Sequence, residues 1–454
     1  MKKIDKILFY FPWNEISGGP FYMAQLANNL SEKKNYTVYY VDYANSGTGI
    51  TLNKKINRLI YNDNESFIFD NFPVVCIMPV YLPHSIPKLH KNSKFLFVNW
   101  HNCCTMVLQS KYHLNNDSLL KMLYYFENTK SVVYCDYAHF LEVKKYIKNP
   151  KERYLPVVIN KNEEYFSSKG DNVLASQVNI AILGRICRDK IYSIFNILDN
   201  LEKLNYILPI NIHIIGDGNE KLFLNKYIKK YNNINIIQHG VLIGKERDLF
   251  LIKNIDVLFG MGTSILEGAK LKIPCVVTPH QLTFFKNDKF VYLHECRKYC
   301  LGWFNEQLDD LGFNTITIKD ILDDIYIKKK KKVLGEKAFD HLQNNHFENI
   351  KMLEEHVEKS TSYFYDFEKM NIFSKEKKVK IFNFCIFSYS IFLNSVKYKL
   401  FGKIELCKTI KSELSITDMY VLYFPLIRIR KTTNVYRIDL LFIIKIYNFL
   451  KGKK

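Results

Sequence analysis

Short apolar runs alternate with stretches in which apolar positions return every three or four residues. Residues 7–11 (Ile-Leu-Phe-Tyr-Phe) read as a strand, and after the turn Ser17-Gly18-Gly19-Pro20, Phe21, Ala24, Leu26, Ala27 and Leu30 recur at helical spacing. Further strands are expected at 37–41, 74–78, 95–98 and 131–134, then a helix running on to Tyr146, and 154–159 closes this series. The polar stretch 166–177 reads as a linker. A second alternation follows, with strands at 178–183, 210–215, 234–238, 257–259 and 275–278. Helices are expected around 191–204, up to Tyr231, over 246–253 and over 264–271. Strand–helix alternation of this kind predicts parallel sheets covered on both faces. The expected architecture is therefore α/β, two tandem Rossmann-like doubly wound domains facing a cleft. Their bounds are 1–165 and 176–345, followed by a helical return segment at 346–370 and a basic C-terminal extension at 371–454.

Composition supports cores of that size. The chain has 454 residues, 48% of them hydrophobic and 24% charged, which excludes wholesale disorder and small disulfide-stapled scaffolds. Net charge is +20, and residues 371–454 hold 17 Lys/Arg against 5 Asp/Glu, a net +12. An anionic partner is expected. In the extension, basic residues interleave with Ile381, Phe382, Phe384, Phe387, Ile391 and Phe392. Such a stretch can lie on an anionic bilayer surface or build a small extra domain with a basic exterior, and both readings stand. No nucleic-acid-binding module is recognisable. The lysine run 328–332 reads as a solvated helix face.

No uncharged run reaches the roughly 18 residues of a membrane span. The ten cysteines form no C-x-x-C pair, and Cys296 and Cys300, expected on one helix face, read as buried packing. With no signal-peptide pattern at the start, reduced thiols in the cytoplasm are expected, with peripheral placement on the inner face of the plasma membrane as the location the basic extension would favour.

Open α/β sheets bind ligands beyond the carboxyl ends of their strands, where helix N-termini favour phosphate. Four such turns carry chemistry. Gly184-Arg185-Ile-Cys-Arg-Asp-Lys190 places two cations at a strand exit, a fork and a point charge suited to a diphosphate, or else two surface cations. In Gly260-Met-Gly262-Thr263-Ser264-Ile-Leu-Glu267, glycines admit close approach, Thr263 and Ser264 would cap the next helix, and Glu267 could accept ribose hydroxyls or serve only as a first-turn carboxylate. The Ser17-Gly18-Gly19-Pro20 turn lacks the third glycine of a dinucleotide fingerprint, as does Gly216-Asp-Gly218, and no acidic ribose ligand about 20 residues on supports either. His101, in Asn99-Trp-His-Asn102, stands at a strand terminus facing the cleft, or else is a structural histidine.

Taken in order, G-R-x-x-x-x-K at 184–190, I-I-G-D-G at 214–218, I-I-Q-H-G at 236–240, G-x-G-x-x-x-L-E at 260–267 and A-K-L-K-I-P-C-V-V at 269–277 resemble the donor half of a GT-B glycosyltransferase, close to glycosyltransferase family 4 and its bacterial capsule and lipopolysaccharide members. The resemblance implies transfer of a sugar from a nucleotide-diphosphate-sugar to a cell-envelope glycan or lipid-linked acceptor, with retained configuration and without a metal or other cofactor. It implies that the first domain (1–165) binds the acceptor and the second (176–345) the nucleotide-sugar donor, and that Arg185 and Lys190 hold the diphosphate and stabilise the leaving group. Glu267 would bind the ribose, while Gly260 and the amides of Gly262, Thr263 and Ser264 meet the phosphates or sugar. Gly18 and Gly19 would approach the distal phosphate and His101 the donor sugar. One departure stands out: the family commonly has a glutamate eight positions before the one matched by Glu267, and this chain has Phe259. A non-catalytic nucleotide- or glycan-binding relative, or a nucleotide-sugar epimerase of the same fold, are the alternative readings.

Overall fold

The computed structural model describes residues 4–14, 18–62, 67–80, 86–99, Thr105, Leu108, 116–159 and 176–369, together with the backbone of eight strands between Lys375 and Leu450. His101, Ser17 and most of the 166–177 linker lie outside the described residues.

The first domain is built on β1 (Lys6–Tyr10), β2 (Thr37–Asp42), β3 (Asn57–Ile60), β4 (Val75–Pro79), β5 (Lys94–Asn99) and β6 (Val132–Tyr134). All pair in parallel, in the spatial order β3-β2-β1-β4-β5-β6. The central strands are buried throughout apart from Lys6 at the start of β1, which explains why they read as unbroken apolar runs rather than alternating ones. Helices α1 (Gly18–Ser31), α2 (Asn116–Asn128) and α3 (Tyr137–Lys144) follow β1, β5 and β6. One expected element is missing. Residues 154–159 form no strand: Pro156 cannot donate to a ladder, and a single bridge joins Tyr154 to Tyr134. Strand β3 was not expected, because its four residues are half-exposed at the sheet edge.

The second domain repeats the plan with β7 (Val178–Leu183), β8 (Ile210–Ile215), β9 (Ile234–Gly240), β10 (Val257–Gly260), β11 (Cys275–Val277) and β12 (Val291–Tyr292), in the order β9-β8-β7-β10-β11-β12. Only β12 runs antiparallel. Helices α4 (Arg188–Lys203), α5 (Lys221–Tyr227), α6 (Gly244–Asn254) and α7 (Thr263–Lys270) leave the ends of β7, β8, β9 and β10. The chain continues through α8 (Lys331–Asn345), α9 (Ile350–Lys359) and α10 (Phe364–Lys369). This segment returns to the first domain, since Ile350, Leu353, Val357, Phe364 and Phe367 are buried in that domain's core. Both sheets are doubly wound, as the alternation predicted.

Cys296 and Cys300 are not on a helix, but both are buried. The lysine run is also more engaged than a solvated face would be: Lys328 and Lys330 pair with Asp324, and Lys331 with Asp256. In the extension, eight strands from Lys375–Ile381 to Lys445–Leu450 follow one another in chain order, each antiparallel to the next. Among the described residues no helix is long and apolar enough to cross a membrane.

Candidate functional site

A doubly wound sheet opens a crevice where its strand order reverses, because neighbouring loops there diverge to opposite faces. In the second domain that point lies between β7 and β10, which pair through Gly260 and Leu183. The two motifs singled out in the sequence, 184–190 and 260–267, leave the sheet from these two strands.

The β7 exit loop is locked against the loop after β8. The Gly184 amide donates to Ile215 O at 3.0 Å, Ile186 to Asp217 O at 2.9 Å, and Glu220 to Ile186 O at 3.1 Å. Gly216, at φ 145°, lies so close to the first loop that a Cβ there would stand 1.9 Å from Gly184 O, and one on Gly218 would stand 2.2 Å from Ile186 O. These glycines therefore serve loop-to-loop packing. The packing fixes the backbone on which Arg185 is exposed and from which α4 starts.

Three elements converge above Gly184. A Cβ at this position would lie 3.7 Å from Ser264 Oγ and 3.9 Å from Lys190 Nζ. Among the described residues, the Lys190 ammonium forms no ion pair or hydrogen bond, although its charge acts on the neighbouring Asp189 carboxylate. Gly262 precedes helix α7, held at φ 60° and ψ −138° with open space where a side chain would project. Contrary to expectation, neither Thr263 nor Ser264 caps that helix, so its first-turn amides keep their hydrogen-bonding capacity. The Gly262 amide is itself committed to Leu301 O at 2.7 Å, which removes it from the expected ligand set. Gly260 is likewise a sheet residue, its carbonyl accepting from Thr278 at 3.0 Å. From the first domain, Gly18 brings the start of α1 opposite: its Cβ position lies 3.4 Å from Thr263 Oγ1. Gly19 follows in the first turn of the same helix. Two helix N-termini from different domains thus meet beside one unpaired ammonium, a strongly anion-favouring arrangement.

Glu267 stands one helical turn beyond Ser264, turned towards α6. Its Oε2 accepts from Arg247 at 2.7 Å and pairs with Lys270 at 2.9 Å. Arg247 also grips Asp248 Oδ1 at 2.7 Å, and Lys270 reaches Asp248 Oδ2 at 3.2 Å, closing a ring of alternating charge. Asp248 and Lys270 are buried. Glu267 Oε1 has no protein partner among the described residues. The sequence reading missed this ring, because Arg247 and Asp248 look like ordinary helix-surface charges 20 residues upstream.

Phe259 is fully buried, in edge-to-face contact with Phe290 at 5.7 Å between ring centres. In the first domain, Asp42 closes β2, the place where a dinucleotide fold carries its ribose ligand. Its oxygens are occupied by the Trp13 and Tyr43 amides and the Ser46 hydroxyl.

No family model matches the sequence. Among solved structures the chain is similar to HepE of Anabaena in complex with UDP and glucose (10% identity, 78% of this chain and 98% of that one, TM-score 0.48). It is also similar to WaaG, a glycosyltransferase involved in lipopolysaccharide biosynthesis (12%, 78% and 99%, 0.47), and to the apo form of the lipopolysaccharide outer core galactosyltransferase WaaB (13%, 75% and 99%, 0.41). At these identities and scores, none of the likenesses assigns a substrate or reaction to this chain.

Proposed function

We propose that this protein is a GT-B-type glycosyltransferase that moves a sugar from a nucleotide-diphosphate-sugar to a cell-envelope glycan or lipid-linked acceptor, with retention of configuration. The observation that carries the reading is the meeting of Lys190, Gly18 and the uncapped start of α7 at the switch point. A diphosphate bound there would gain Coulombic attraction from Lys190 and Arg185 and hydrogen bonds from the Thr263 and Ser264 amides. As the bond to the sugar breaks, negative charge grows on the leaving phosphate, and the same groups stabilise it without a metal. In this reading Glu267 Oε1 accepts a ribose hydroxyl while Oε2 stays tied to its two cations. The positive charge of residues 371–454 suits an anionic membrane surface beside the acceptor.

A thermal-shift screen against uridine, guanosine and adenosine diphosphates tests the donor site, since a ligand of the folded state raises apparent stability by mass action. At least one diphosphate should raise the midpoint, and Lys190→Ala should abolish most of that rise. No response to any diphosphate, or an unchanged response in the variant, refutes the assignment. Release of free nucleotide from a nucleotide-sugar by the purified protein separates an enzyme from a binding protein.

A further inference from the structure

The strands of the extension are β13 (Lys375–Ile381), β14 (Phe384–Phe392), β15 (Ser395–Leu400), β16 (Ile404–Lys411), β17 (Ser415–Val421), β18 (Phe424–Thr432), β19 (Val435–Leu440) and β20 (Lys445–Leu450). Successive residues of a strand belong to opposite faces of its sheet, so the pairing register sorts this sequence between two faces. Tyr389, Tyr398 and Leu406 stand in register across β14, β15 and β16, and Ile429, Ile438 and Tyr447 across β18, β19 and β20. Thr417 of β17 pairs with Ile410 on one side and Ile429 on the other, which puts both rows on the same face. From β14 to β20 that face is apolar at most positions. The register assigns Lys378, Lys397, Lys399, Arg428, Arg430 and Arg437 to the opposite face, where cations outnumber acidic residues.

A sheet with one apolar face is stable in water only when something covers that face. Among the described residues, neither domain lays a helix or strand across these eight strands.

We propose that the apolar face of the extension packs on the same face of a second copy of this chain, forming a face-to-face β-sandwich dimer. Three observations choose this occupant. The first is area: eight strands about 4.8 Å apart, at least six residues long and rising about 3.3 Å per residue, offer a face of roughly 750 Å2. A stable interface between proteins takes about 800 Å2 from each partner. The second is the separation of charge. A bilayer that received the apolar face would hold the cations on the far side, away from its headgroups, whereas pairing two apolar faces leaves both basic faces outward. The third is the edge. β13 carries Lys375, Lys377, Lys378 and Lys380, and lysines on an edge strand oppose strand addition, which directs association to the face. Two further cations fall on the apolar face from β14 onward, Lys408 and Lys431. They pair with Val396 and Tyr436, each the second residue of its strand, so they occupy the rim, which is polar in protein interfaces. The contact is isologous, the same surface on both copies, as two-fold closure requires.

The test is the mass of the full chain in solution, by light scattering at micromolar concentration and by sedimentation on dilution. The wild type should run at twice 53.8 kDa. Leu406→Glu and Ile429→Glu, on the apolar face, should each weaken the dimer at least about a hundredfold, while Lys399→Glu and Arg430→Glu, on the opposite face, should leave it intact. Hydrogen exchange on the wild type alone locates the contact whether or not a variant folds: dilution to monomer should raise exchange in peptides from 384–450 and spare both α/β domains. A monomeric wild type overturns the proposal. So does a dimer that both apolar-face variants retain, one that the opposite-face variants lose equally, or a rise in exchange confined to either domain. A monomer that pellets with neutral phosphatidylcholine vesicles, and ceases to in Leu406→Glu, overturns it too, because the occupant is then lipid.

Discussion

Gly216→Ala is the sharpest probe of how the candidate site is held. Two independent penalties act at this position. The backbone sits at φ 145°, which L-residues rarely adopt, and the added methyl would stand 1.9 Å from Gly184 O and 2.9 Å from Gly184 C. Reaching even a tight contact requires the 184–186 loop to retreat by more than about 1 Å, and a displacement of that size at a positioning group can cost on the order of a hundredfold in function. The methyl meets backbone, so no side-chain rotation relieves it. The retreat would also stretch the bonds from Gly184 to Ile215 and from Ile186 to Asp217, and it would carry Arg185 and the start of α4 away from α7. Backbone strain adds about 1–3 kcal/mol.

Nucleotide-diphosphate affinity, measured by isothermal titration calorimetry, should therefore fall at least tenfold, or about 1.4 kcal/mol. The far-UV circular dichroism should be retained, because sheet and helices are anchored elsewhere. Gly240→Ala is the matched control, since Gly240 also has a positive φ (68°) but nothing within 4 Å of its Cβ position. Equal affinities for Gly216→Ala and wild type would refute the claim that interlocked loops position the cations.

Lys270→Met should leave Glu267 and Asp248 sharing Arg247 alone, destabilising the protein by about 3 kcal/mol and lowering its melting midpoint by roughly 6–12 °C; a shift under 1 °C would count against the ring as a stabilising unit. Gly335→Ala lies inside α8, where such a change normally gains up to about 1 kcal/mol, yet its Cβ would stand 2.0 Å from Lys272 O, so urea unfolding should report destabilisation with diphosphate binding intact. Burial, reinforced by the charge of neighbouring histidines, depresses His341 to about 4 and His346 to about 3, below the unfolded value of about 6.5. The unfolded chain therefore takes up protons first: stability is full above about pH 6.5 and is lost as pH falls towards 4, and His341→Gln should flatten that slope by about 2 kcal/mol between pH 7 and pH 5.

The parallel strands were legible because a strand buried on both faces must be apolar throughout, and β7 and β8 begin and end where the apolar runs do. What escaped was set by tertiary position. Asn57–Ile60 is too short and too exposed to stand out as an apolar run and becomes a strand where β2 offers it an edge, while the apolar 154–159 stretch makes only a single bridge to Tyr134. At the site, glycines and cations at strand exits marked the converging loops, since few other sequences permit such close approach. The partners of Glu267 could not be read, because which carboxylate Arg247 meets depends on how α6 packs against α7. Gly260 and the Gly262 amide were assigned to a ligand, but their groups are used by Thr278 and Leu301, partners distant in the sequence.

The burial of Phe259 changes how the missing glutamate should be understood. The residue pairs in register with Ile182 on one side and Val276 on the other, and its ring closes the apolar layer against Phe290. A carboxylate placed there, with this strand register, would be stripped of water without a cation nearby, a cost of several kcal/mol. Phenylalanine at 259 is therefore a requirement of this core, and the position does not present its side chain to the crevice. In the proposed donor site, recognition of sugar hydroxyls falls to groups at the crevice: the hydroxyls of Thr263 and Ser264, the ammonium of Lys190 and the first-domain backbone at Gly18 and Gly19. All of these donate hydrogen bonds readily, whereas the two carboxylates nearby are already engaged: two cations hold one oxygen of Glu267, and Asp189 Oδ1 accepts from Cys187 Sγ at 2.9 Å. A site so rich in donors should favour sugars that present acceptors, such as a uronate or an acetamido carbonyl, over sugars with hydroxyls alone, and competition between such nucleotide-sugars for one diphosphate site is the measurement that decides it.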